Sequence, residues 1–155
     1  MYQVEDLLRA CELSMEPIRN NILSQYKEST ERLAEIEVWY EDLIIKMKSE
    51  GLEKKGHLQF LKDLTGELTS LHQKLLKDPE ETKYYELFAW AKKNIDEIKN
   101  KSVDKNLSDI EYMLNALYGV LILRLKKKTI SEETLQAVST FTGLIATLSK
   151  KYQKK

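Results

Sequence analysis

The stretch Tyr112–Leu125, YMLNALYGVLILRL, decides the fold. Only Asn115, Gly119 and Arg124 interrupt its apolar residues. A helix without a polar face has to be covered by other helices. The spacing therefore predicts a helix over about 107–127 at the centre of a bundle.

The flanks supply the covering helices. Upstream, DPEE at 78–81 reads as a helix start. Asp78 would cap, Pro79 would take the first position, and the two glutamates suit the positive end of the macrodipole. Tyr84, Phe88, Ala91, Ile95 and Ile98 form its stripe, and the polar run 99–106 reads as a loop. Downstream, SEET at 131–134 starts a last helix, with Leu135, Val138, Phe141, Ile145, Leu148 and Tyr152 on one side. Residues 150–155 read as a frayed basic tail.

Toward the N-terminus, Ser29 or Thr30 caps a helix whose Leu33, Ile36, Tyr40, Leu43 and Met47 step by three and four. Gly51 stops it. A helix over about 53–77 follows, with His57, Leu61, Leu64, Leu68, Leu71 and Leu75 in the same step. Two long seams joined at one glycine predict an antiparallel hairpin. Val4, Leu7, Leu8 and Cys11 mark a first helix ending near Glu12, and Ser14 caps a second over about 15–26, with Pro17 in its first turn. No segment alternates with period two. The expectation is one all-α domain, residues 1–155, a helical bundle of about seven helices around the helix at about 107–127.

Composition bounds the function classes. The 155 residues carry no net charge, 42% are hydrophobic and 32% charged. Residues 1–42 hold ten acids against four bases, and residues 122–155 hold eight bases against two acids. Lysines near helix C-termini suit the macrodipole, which is reason enough for the basic end. Only Tyr152 accompanies it, so no nucleic-acid surface is read. No apolar run reaches the roughly 18 residues of a membrane span, and no signal peptide is visible. The single cysteine, Cys11, rules out an internal disulfide and reads as a buried thiol. These features predict a cytoplasmic protein.

Catalytic and metal patterns are missing. Neither His57 nor His72 has a glutamate three residues before it, and there is no HExxH, CxxC or glycine-rich phosphate loop. Ser24–Lys27 matches SxxK without its companion motifs. No catalytic residue, metal site or cofactor is expected. Both histidines are expected at core edges, bonded to backbone groups. Trp39, Tyr40, Tyr84, Tyr85, Phe88 and Trp90 are expected in the core. The polar groups at odds with their surroundings are Glu5, Asp6 and Arg9 on the first helix and Arg124 at the end of the most apolar one. A guanidinium there either reaches water or meets an acid, so Arg124 is expected within salt-bridge reach of Glu5 or Asp6. With His57, these residues are the candidate binding pocket.

Five blocks then become familiar: QVEDLLRA at 3–10, WYEDLI at 39–44, GHLQ at 56–59, LTSLHQKLL at 68–76 and ALYGVLILRLKKKTISEET at 116–134. In this order they resemble a family of uncharacterised proteins from Bacteroidetes-type bacteria, known only as a domain of unknown function. The resemblance implies no reaction, cofactor or partner. It does imply a further short N-terminal stretch, so this chain reads as trimmed or as starting late, its first helix the tail of a longer one. Two function classes follow. The first is a non-enzymatic interaction or structural protein, expected to be a homodimer or to bind another protein. The alternative is a small-molecule binder or enzyme using Glu5, Asp6, Arg9, His57 and Arg124.

Overall fold

Helix starts are set by side chains that accept from the first unpaired backbone N–H groups. In the computed structural model, which describes residues 1–154, Ser29 caps α3 (Thr30–Ser49) and Ser131 caps α7 (Glu132–Gln153). Ser108 and Glu111 form a reciprocal capping box on α6 (Asp109–Leu125). The remaining helices are α1 (Tyr2–Ala10), α2 (Met15–Asn21), α4 (Gln59–Lys77) and α5 (Thr82–Lys101), with one 3-10 turn at Leu23–Gln25. Among the described residues the protein is all-α, 76% helical in seven helices without a strand. None of these helices is long and apolar enough to cross a membrane.

α2 ends at Asn21, short of the expected 26, with the 3-10 turn following, and two helix starts also differ from the sequence expectation. α4 starts at Gln59 rather than near Glu53, because both Gly51 and Gly56 take positive φ, 67° and 96°. Two left-handed residues make 50–58 a loop instead of a single-glycine hairpin. α5 starts at Thr82, because Asp78 turns its carboxylate to the Glu80 N–H at 3.0 Å. That bond closes a turn around Pro79 where a helix cap was expected.

The chain forms two compact units, Met1–Lys62 and the part from Asp63 onward, with the boundary inside α4. Leu8, Ile18, Met47 and Leu58 are fully buried in the first unit. In the second, Tyr84, Ile95, Ile110, Met113, Phe141 and Leu144 are fully buried. There α5, α6 and α7 pack against one another. Ile110, Tyr112, Met113 and Val120 of α6 are buried, but Leu121, Leu123 and Leu125 are 39%, 38% and 56% exposed. Within its unit α6 packs chiefly on two neighbours, which leaves part of its circumference open. The aromatics also divide. Tyr40 and Tyr84 are core, and burial pushes both phenols up. Trp39, Tyr85 and Trp90 are exposed, Trp90 by 68%, and depart from the expected core.

A buried polar network ties three helices of the second unit. His72 is buried on α4, and its Nδ1 accepts from the Tyr84 hydroxyl at 2.7 Å instead of meeting a backbone group. Its Nε2 has no hydrogen-bond partner and lies 3.8 Å from an Asp109 oxygen. Asp109 is paired with Lys99. The His72 imidazole foremost, then the Lys99 ammonium, hold the Asp109 carboxyl down to about 2, against the opposing effect of burial. A carboxyl that is more acidic folded than unfolded stabilises the fold above its unfolded value of about 3.8. That contribution, about 2 kcal/mol, is expected to be lost as pH falls from about 4 to about 2. Urea unfolding of the wild type and Asp109→Asn should give curves that differ at pH 5 and converge near pH 2. A constant gap would contradict the linkage.

Candidate functional site

A loop has few backbone partners of its own, so side chains must supply them. At loop 50–58 they come from α1. The Glu5 carboxylate is fully buried and accepts from His57 Nδ1 at 2.6 Å and from the Leu58 N–H at 2.8 Å. Arg9 donates from Nε to the Leu52 carbonyl at 3.0 Å and from Nη2 to the Gly56 carbonyl, while Nη1 reaches Asp6 at 2.8 Å. The Tyr2 ring stacks on His57 with centroids 4.0 Å apart. Glu5, Asp6, Arg9 and His57 thus come together in the first unit.

Arg124 does not join them. It is exposed at the last turn of α6 and makes no hydrogen bond or ion pair among the described residues. The expected bridge to Glu5 or Asp6 does not form, and the guanidinium reaches water from the helix end. Cys11 is half-buried rather than enclosed.

The arrangement fixes the orientation of the His57 ring. Nδ1 faces Glu5, which turns Nε2 the other way on a side chain 39% exposed. The neighbouring cation has all three guanidinium nitrogens engaged by the protein. Among the described residues no three His, Cys, Asp or Glu side chains gather as a metal-binding group.

A sizeable concavity lies elsewhere. In the second unit a cleft of about 730 Å³ runs between the second half of α5, α6 and the first half of α7. Pockets for drug-sized ligands or peptide segments span about 300–1,000 Å³ and are mostly apolar. Buried Phe141 and Val120 lie at its base, with the small residues Ala116 and Ala137 beside them. Gly119 lies exposed on its α6 wall, and a Cβ built there meets nothing within 4 Å. Asn94 on the α5 side donates to Thr140 at 3.2 Å. A glycine inside a helix costs about 1 kcal/mol against alanine, and among the described residues no side chain comes within 4 Å of the position a Cβ would take. Sequence reasoning missed this wall. The available signal was Gly119 standing one turn from Asn115 in an otherwise apolar helix.

A family model described as "Domain of unknown function (DUF4924)" matches residues 1–155. No curated protein and no solved structure matches the chain.

Proposed function

Because the chain belongs to the DUF4924 family, whose description assigns no activity, we propose a function from its own surface: a non-enzymatic cytoplasmic protein that works by binding polypeptide, as a homodimer or with another protein partner. The observation that carries this is the second half of α6. Leu121, Leu123 and Leu125 are exposed on a helix whose sequence has no polar face, and Leu123 lines a mostly apolar cleft. Exposed apolar surface of this kind marks interaction sites. The test is light scattering behind gel filtration across a wide concentration range. A mass rising toward two chains is the expected result, and the mass of one chain throughout would remove the homodimer.

The second reading places a small ligand at Glu5, Asp6, Arg9 and His57, without Arg124. It is favoured by one observation, the imidazole held by a buried carboxylate with its other nitrogen on an exposed side chain. If it operates, His57→Gln abolishes ligand binding and leaves self-association unchanged.

A further inference from the structure

We propose that the hollow between the first half of α3 and the segment before it binds an organic cation, one whose nitrogen carries alkyl groups. It lies wholly in the first unit and goes beyond the binding function argued from α6.

Helical spacing builds one wall. Arg32, Glu35, Ile36, Trp39 and Tyr40 stand three or four residues apart in succession along α3, so they share one face. The chain leaves the 3-10 turn in an extended conformation at Tyr26 and runs to the Ser29 cap. Tyr26 and Glu28 thereby line the same hollow, of about 540 Å³. The Tyr26 and Tyr40 hydroxyls lie 3.4 Å apart. The Trp39 ring meets the Tyr40 ring at 64°, with centroids 4.9 Å apart. Tyr40 is buried, whereas Tyr26 and Trp39 are 41% and 42% exposed. Three aromatic rings therefore meet at one open hollow, and two of them are only half covered by the protein.

The chemistry of that lining selects a cation. Aromatic faces carry negative potential and attract positive charge. Among the described residues no cation of the protein lies over the Tyr26 or Trp39 ring. The wall's own cation, Arg32, donates to Glu35 at 2.7 Å, which pairs its charge. Glu28 is exposed and makes no ion pair among the described residues. The surroundings have the same sign: residues 26–37 hold four acids against two bases. Such a field draws cations toward it. The macrodipole of α3, positive at its start, acts chiefly on the first turn, and Trp39 and Tyr40 lie beyond it.

The same lining selects among cations. The rings and Ile36 offer apolar contact, and Glu28 offers charge. An alkylated ammonium uses both, with its carbons on the rings and its charge toward the carboxylate. A bare ammonium is strongly hydrated and would exchange water for rings that accept hydrogen bonds poorly.

The test follows the indole N–H signals by heteronuclear NMR. The chain has two tryptophans, and Trp90, in the second unit, is the internal control. Choline chloride, its uncharged dimethylbutanol isostere and a short peptide carrying trimethyllysine are each titrated at constant ionic strength. Choline or the peptide should shift the Trp39 signal saturably and leave Trp90 in place. The tighter of the two shows whether the cation is a free small molecule or a side chain of another protein, and either result supports the site. The isostere should bind at least about tenfold more weakly than choline. Tyr26→Leu keeps bulk but removes a ring face, and should weaken the better cation about fivefold. Glu28→Gln should weaken it about threefold. Both residues are exposed, and circular dichroism melts check that the variants stay folded. No saturable Trp39 shift with either cation would overturn the proposal. So would an isostere that binds as tightly as choline, or cation binding unchanged in both variants.

Discussion

Replacing Phe141 by alanine is expected to destabilise the second unit by about 4 kcal/mol, within the range of about 3–5 for removing a buried aromatic ring. Phe141 is fully buried among Tyr84, Ala91, Ile95 and Leu144. It also lies at the base of the α5–α6–α7 cleft. Removing the ring leaves a void that joins the cleft instead of closing, because α-helices held at three sides cannot collapse onto it. Urea unfolding followed by circular dichroism measures the loss. Phe141→Leu fills most of the volume and should cost less than half as much. Equal costs for the two variants would mean that the void closes, and that the cleft is softer than its packing implies.

Glu5→Ala is expected to cost about 3 kcal/mol in the first unit. The change removes two hydrogen bonds to a carboxylate and leaves the buried Leu58 N–H without a partner, a penalty of about 1–3 kcal/mol by itself. Glu5→Gln keeps an acceptor for that N–H and should cost about 1 kcal/mol. The sensitive readout is amide hydrogen exchange. The Leu58 N–H should lose protection in Glu5→Ala and retain most of it in Glu5→Gln. Unchanged protection in the alanine variant would show that loop 50–58 holds its shape without α1.

The helices themselves were legible from local chemistry. The three-and-four stepping of Leu33, Ile36, Tyr40, Leu43 and Met47 needs only the geometry of one helix, and so do the caps Ser29 and Ser131. Loop 50–58 was not legible. Gly56 is an ordinary residue for a helix start until its φ of 96° is known, and that conformation goes with two side chains from residues about fifty positions earlier. Asp78 misled for a similar reason, since one carboxylate can cap a helix or close a turn around Pro79, and both use the same atoms.

The candidate site divides along the same line. That Glu5, Asp6 and Arg9 are out of place on the first helix is readable from periodicity, because each sits beside an apolar stripe it does not extend, whereas His57 reads as part of a seam. Which of them meet is not readable, because pairing depends on where the loop returns. Arg124 shows the limit: its sequence environment demands water or an acid, and only the tertiary structure decides for water. For α6, sequence alone determined an apolar helix with opposite charges at its ends, since composition and order suffice for that. Tertiary structure alone decided that Leu123 is left open beside Gly119, and Leu121 and Leu125 on the other side of the helix, because exposure is a property of neighbours and not of residues.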